Sequence, residues 1–465
     1  MKSLNALKMS GAEILPLIEG GKGVAVSTGA SAGGWAAAGG IGTFSGANPD
    51  AVDENGNVIP MRYKGRTRLE RHEELVQFGI KGGIDQARIA HEIAGGKGRI
   101  HMNVLWEMGG TERILHGILE GAKGLIHGVT CGAGMPYKLA EITAKYGVYY
   151  YPIVSSGRAF RALWKRAFHK FGEFMGAVVY EDPWLAGGHN GLSTNEDPLK
   201  PEDPYPRVVI LRQMMNEMGL QKTPIIMAGG VWYLREWDHW IENPEIGPIA
   251  FQFGTRPLLT QESPISSQWK QKLLTLKTGD VFLNRFSPTG FYSSAVRNPF
   301  LDDLIARSER QIAYTTEPVG DHDAELGIGV RKRVVYVTAH DYTRAVSWIN
   351  QGFTEALRTP DSTLVFVTPQ KEREIHKDQV DCMGCLSACK FSNWAENETN
   401  STGKKADPRS FCIQKTLQEI AHGADTDTQL MFAGHNVYRF ASDPFYSNGF
   451  VPTVKQLVDR IMTGD

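Results

Sequence analysis

Four of the five cysteines crowd near the C-terminus, as Cys382, Cys385 and Cys389 in DCMGCLSACKFSNW and Cys412 in SFC. Their spacing is C-x₂-C-x₃-C, then twenty-two residues to the fourth. Thiolates are soft ligands that suit zinc or iron–sulfur clusters. Structural zinc usually takes two separated C-x₂-C pairs, or cysteine together with histidine. Three closely set cysteines and a distant fourth wrap a cubane more naturally, so a [4Fe–4S] cluster is expected here, with structural zinc as the alternative. The fifth, Cys131 in VTCGAGMP, stands apart and reads as a barrel-top thiol outside the cluster.

A second centre of chemistry is His189 in WLAGGHNG, which follows the apolar run GAVVY. Gly187, Gly188 and Gly191 leave its imidazole unshielded, so a planar ring can approach closely. Histidine accepts protons near neutral pH, which makes His189 the candidate catalytic base, although an isolated histidine is more often structural. The pair MAGGVW and FGT, each after an apolar run, would cradle a phosphate monoester. The donors would be the backbone N–H groups of Gly229, Gly230 and Gly254 and the Thr255 hydroxyl. Near the N-terminus, EGGKGVAVS brings Gly21, Lys22 and Gly23 to a loop that could lie against a flavin, and Asn103 offers an amide that both donates and accepts. One phosphate cradle without a GxGxxG fingerprint favours FMN over FAD.

Such residues need a scaffold that brings loops to one face. From residue 10 to about 300, short apolar runs alternate with helical stretches. The expected strands are Val24–Ser27, Gly40–Phe44, Ile100–Val104, Gly124–His127, Val148–Val154, Ala177–Tyr180, Pro224–Met227 and Ile249–Phe253. Near-eight strands ending in glycine loops predict an α/β fold, a TIM (β/α)₈ barrel with ligand loops at its C-terminal face. The expected parts are an FMN-binding barrel over 1–310 with an insertion at 46–72, a small inserted α/β segment over 311–375, and a cluster-binding segment over 376–465 that packs on the barrel.

The 50 basic and 51 acidic side chains nearly cancel, which gives no support for nucleic acid as a partner. No apolar run is long enough to span a membrane, and the first nineteen residues lack the pattern of a secretory signal. A reducing, cytoplasmic setting is expected.

Taken together, GGKG, GAGMP, AGGHNG, AGGVW and FGTR resemble the nitronate monooxygenase/2-nitropropane dioxygenase-like family of FMN-dependent TIM barrels. CMGCLSAC, SFC and FAGHNVYR further resemble the acyl-carrier-protein dehydrogenase/isomerase group of the FabX type, over roughly residues 12–300 and 380–465. That resemblance implies FMN in the barrel and a [4Fe–4S] cluster on Cys382, Cys385, Cys389 and Cys412. It implies His189 as the base, and flavin contacts from the GGKG loop, Asn103, Gly188, AGGVW and GT. Lys22 stands where the family leads one to expect an apolar residue. The implied substrate is a medium-chain acyl thioester on acyl carrier protein, oxidised at Cα–Cβ and then isomerised from trans-2 to cis-3. Oxygen or a redox partner would take the electrons, and a homodimer is expected. The alternatives are oxidation of an alkyl nitronate, reduction of an enoyl thioester, and a non-catalytic redox sensor.

Overall fold

The computed structural model describes residues 1–397, 400–423 and 425–465. An antiparallel hairpin, β1 (Leu7–Met9) and β2 (Ala12–Ile14), precedes the first barrel strand, β3 (Leu17–Glu19). Then follow β4 (Ile41–Ser45), β5 (Arg99–Leu105), β6 (Gly128–Gly132), β7 (Tyr149–Val154) and β8 (Val178–Glu181). After a short strand β9 (Gly188–His189) come β10 (Ile225–Ala228) and β11 (Ile249–Phe253). Strands β3–β8, β10 and β11 pair in parallel and close on themselves in the order β10-β11-β3-β4-β5-β6-β7-β8. This is the TIM barrel that the strand rhythm predicts.

Alternation along each strand sorts side chains between two cores. On β8, Val178 and Tyr180 face the outer layer between sheet and helices, while Val179 joins Ile18, Ile41, Ile226, Ala228 and Ala250 in the barrel interior. Met9 and Ile14 of the hairpin extend that interior core. Helix α1 (Gly29–Ala37) is capped by Thr28 and packs on α2 (Arg68–Ala94), which begins at a Thr67/Glu70 capping box. Gly29 and Gly33 make the contact possible: a Cβ on Gly29 would lie 2.4 Å from the Gln86 carbonyl oxygen, and one on Gly33 would lie 2.7 Å from the Ile93 Cβ.

Two expected strands are displaced. Val24–Ser27 is a turn, and the first strand is Leu17–Glu19, just upstream of GGKG. Gly124–His127 is a loop, and the strand is Gly128–Gly132, whose inward Gly128 makes room for His101 and, with Thr130, hides the apolar pattern. The expected excursion over 46–72 ends at Thr67, where the α2 cap begins.

Beyond the barrel, β12 (Val281–Asn284) and β13 (Ser293–Val296) pair antiparallel, and β13 also pairs with β9. The 311–375 stretch forms β14 (Gln311–Ala313), a hairpin of β15 (Ala324–Ile328) and β16 (Arg333–Val337), helix Ala339–Asn350, and β17 (Glu355–Arg358) with β18 (Thr363–Val367). These elements share a separate small core around Leu326, Val337 and Phe366. Among the described residues, no helix is long and apolar enough to cross a membrane.

Candidate active site

A cavity opens where the barrel strands end, and the alternation described above decides what reaches its floor. Outward residues on β5 are Met102 and Val104, so Asn103 faces inward; by the same pattern Glu181 on β8 and Gln252 on β11 face inward. All three line the cavity. Gly21, Lys22 and Gly23 line it from the loop after β3, Gly229 and Gly230 from the loop after β10, and Gly254 and Thr255 from the loop after β11.

The glycines are there for specific steric reasons. A Cβ on Gly21 would lie 2.1 Å from the Asn103 Cβ, so only glycine lets this loop pass over the asparagine. Gly229 and Gly230 have φ of 86° and 79°, and a Cβ on Gly230 would meet Leu185 at 2.7 Å. Gly254 differs: nothing lies within 4 Å of its Cβ position, so the open side of this backbone faces the cavity. The Thr255 hydroxyl accepts from Gly434 N–H at 2.9 Å and keeps its own proton to donate. An exposed peptide run, two positive-φ glycines and a free hydroxyl proton fit a phosphate monoester. Inward amides below fit the edge of a flavin ring. Lys22 is tied back: its ammonium donates to buried Glu19 at 3.0 Å and to the Gly20 carbonyl at 2.8 Å. Ser31 also donates to Glu19, at 2.6 Å.

His189 lies on β9, held by the β13 ladder opposite Ser293, and lines the same cavity. Its Nε2 is 2.6 Å from Ser287 Oγ, and Ser287 Oγ is 2.8 Å from Thr289 Oγ1. Phe432 meets the imidazole edge-to-face with ring centroids 5.3 Å apart. Burial holds the His189 pKa down at about 4, so at neutral pH the ring is uncharged and able to accept a proton. Gly188, at φ 72°, packs beside Phe432, and a Cβ on Gly187 would lie 2.5 Å from the Ala433 carbonyl carbon. The C-terminal FAGHN segment therefore closes one wall, and Asn436 Nδ2 fastens it by donating to the Gly230 carbonyl at 2.6 Å.

Cys382, Cys385 and Cys389 are buried and Cys412 is half-buried. Burial raises the Cys385 thiol well above its ordinary pKa, and the other three sulfurs raise it further, which puts all four within electrostatic reach. Burial likewise raises Cys389 to about 11 and Cys412 to about 12. Gly384 N–H and the Ser392 hydroxyl donate to Cys382 Sγ at 3.4 and 3.1 Å. Among the described residues, no three or more His, Cys, Asp or Glu side chains are placed to hold a metal ion. Four cysteines are the donor chemistry of a zinc ion or of an iron–sulfur cluster. Cys385 also lines the cavity, and the three buried cysteines share an apolar core with Val24 and Ala25 of the glycine loop. Cys131 is not at the barrel top: it is buried in the layer between strands and helices.

The structure thus gathers Gly21, Lys22, Gly23, Asn103, Gly188, His189, Gly229, Gly230, Gly254 and Thr255 around one cavity, with Cys385 at its edge. It adds residues that the sequence reading passed over: Glu181, Gln252, Asn436 and the Ser287–Thr289 pair. Inward register after the run AVVY was the available signal for Glu181. Nothing local marks Ser287, which lies 98 residues from the histidine it holds.

A nitronate monooxygenase family model matches residues 118–464. No curated protein matches the chain. Among solved structures, the enoyl reductase domain of MlnA from the macrolactin biosynthesis cluster of Bacillus amyloliquefaciens aligns at TM-score 0.56 and 11% identity, covering 97% of this chain and 93% of that one. FabK from Thermotoga maritima aligns at 0.48 and 15%, covering 97% and 92%. Nitroalkane oxidase from Streptomyces ansochromogenes aligns at 0.41 and 16%, covering 62% and 78%. At these identities the first shows a shared fold, and the other two carry no argument.

Proposed function

This chain belongs to the nitronate monooxygenase family and is an oxidoreductase, and from that premise we propose that it is an FMN- and [4Fe–4S]-dependent acyl-acyl-carrier-protein dehydrogenase/isomerase. The observation that carries the proposal is the apolar part of the cavity lining. Together with Cys385, that lining includes Leu386, Ile413, Leu417, Ile420, Leu430 and Met431. Such a wall suits a medium-chain acyl group, whereas a small nitronate has no use for it.

Gly229, Gly230, Gly254 and Thr255 would hold the FMN phosphate, and Gly21, Gly23, Lys22, Gly188 and Asn103 would lie against the ring. When bound, FMN supplies the two-electron acceptor that no side chain provides. Cys382, Cys385, Cys389 and Cys412 would hold the cluster. His189 takes the proton from the thioester Cα, with Ser287 fixing the ring and its tautomer. For isomerisation the same imidazole carries a proton between Cγ and Cα, which moves the double bond from trans-2 to cis-3. We read the chain as a barrel over 1–310, an inserted layer over 311–375 and a cluster-binding part over 376–465.

Family membership itself favours a second reading, in which the same FMN and His189 serve oxidation of an alkyl nitronate with O₂. Incubation with saturated acyl-acyl carrier protein, followed by location of the double bond in the released acid, tests the first. Trans-2 and cis-3 acids are expected; an unchanged acyl chain would count against it. Four irons per chain in anaerobically purified protein, lost in Cys382→Ser, are expected for the cluster, and stoichiometric zinc without iron would refute it.

A further inference from the structure

Glu181 ends β8 on the inward side of the barrel in a largely apolar setting: Val179 lies inward on its own strand, Ala228 pairs beside it on β10, and Ile226 lies below. A carboxyl in that register is unusual, because an ionised carboxylate in an apolar barrel is costly unless paired. No cation is paired with it among the described residues, and it lines the cavity with Asn103 and Gln252.

We propose that Glu181 is a cofactor-binding residue, a neutral carboxylic acid that donates a hydrogen bond to a carbonyl or ring nitrogen of the planar heteroaromatic ligand above it. This rests on the FMN reading and names the group that recognises the acceptor edge of the ring. The geometry supplies the motive. A flavin edge presents two carbonyl oxygens and a ring nitrogen that accept, and amides and a protonated carboxyl can meet them, whereas a carboxylate has no proton to donate.

Burial, with Asp182 next to it, raises the Glu181 pKa to about 8, so the protonated form prevails at neutral pH. The other charged or titratable groups that face this cavity are Lys22, Glu107, His189 and the Cys385 thiol. Lys22 is engaged by Glu19, and Asp182 accepts from the Trp184 and Leu185 N–H groups at 2.9 and 2.8 Å. From β7, the chain neighbour is Ser155, whose hydroxyl donates to the Gly191 carbonyl at 2.7 Å. None of these offers Glu181 a compensating positive charge.

The test is release of FMN from the full-chain holoenzyme on dilution, followed by flavin fluorescence between about pH 6.5 and 9.5 in wild type, Glu181→Gln and Glu181→Leu. In wild type, FMN should bind about tenfold or more weakly at the alkaline end, as the carboxyl ionises and faces acceptor oxygens. Glu181→Gln keeps a donor and cannot ionise, so its affinity should match wild type near neutral pH and lack the alkaline loss. Glu181→Leu should bind about 2- to 10-fold more weakly throughout, as expected for one lost neutral hydrogen bond, without the alkaline step. Comparison between variants cancels titrations of FMN itself. If Glu181→Gln retains the wild-type alkaline loss, the proposal is overturned. A wild-type chain that holds no FMN at any pH is a different result: it refutes the cofactor reading, and the proposal falls with it.

Discussion

Replacing His189 by asparagine should change how stability depends on pH, by an amount the structure sets. An imidazole in solution titrates near 6.5, and burial holds that of His189 at about 4. The folded state therefore binds a proton on this group less readily than the unfolded chain does. A half-buried, neutral histidine of this kind contributes no penalty above pH 6.5, and stability is lost as pH falls from 6.5 towards 4. Near pH 4.5 the linkage relation gives a loss of about 2.5 kcal/mol attributable to this one ring. His101, His127 and His435 also have depressed pKa values, so wild type alone reports a sum. The difference between wild type and His189→Asn isolates the single group. Urea midpoints at pH 7 and pH 4.5 measure it: wild type should lose about 2.5 kcal/mol more than the variant over that interval. Equal losses in the two proteins would mean that His189 titrates normally, and the picture of a half-buried, neutral base would fail. The same variant should retain the cofactors while turnover falls about 10²–10⁴-fold, the usual range for loss of a general base.

Ser287→Ala leaves the imidazole present but unheld; removal of one buried partner typically costs about 1–2 kcal/mol, so kcat should fall about 5- to 30-fold with KM little changed. A fall in FMN content with normal turnover per flavin would assign Ser287 to packing instead. Gly21→Ala forces a Cβ to within 2.1 Å of Asn103 and should empty the FMN site while the secondary structure measured by circular dichroism is kept. Full flavin occupancy in that variant would show that the loop lies elsewhere.

Much of this site was legible because glycine loops after apolar strands have few other uses. AGGVW, FGT, GGKG and GGHNG each fall on the cavity, and His189 lies among them. The barrel followed from the same rhythm, yet two strand positions did not. Leu17–Glu19 is only three residues long and follows Pro16, so the more β-branched Val24–Ser27 outweighed it. In β6 the inward positions are Gly128, Thr130 and Gly132; Gly128 and Gly132 are small because His101 and Ile153 of the adjacent strands fill the space beside them, and no apolar alternation survives. Glu181 was hidden for a related reason: a charged residue followed by Asp182 and Pro183 reads as the start of a solvent loop. The alternation that continues from AVVY through the barrel strand turns it inward instead. Ser287, Thr289 and Asn436 reach the site through tertiary packing of segments far along the chain, which spacing does not encode.

The central claim is that this family member oxidises an acyl thioester. Anaerobic mixing of the purified holoenzyme with saturated medium-chain acyl-acyl carrier protein, or with propyl nitronate, reads it from the flavin absorbance band. Rapid bleaching by the acyl thioester, abolished in His189→Ala, is the predicted result. Rapid bleaching by propyl nitronate, with none by any saturated acyl-acyl carrier protein, would contradict the account.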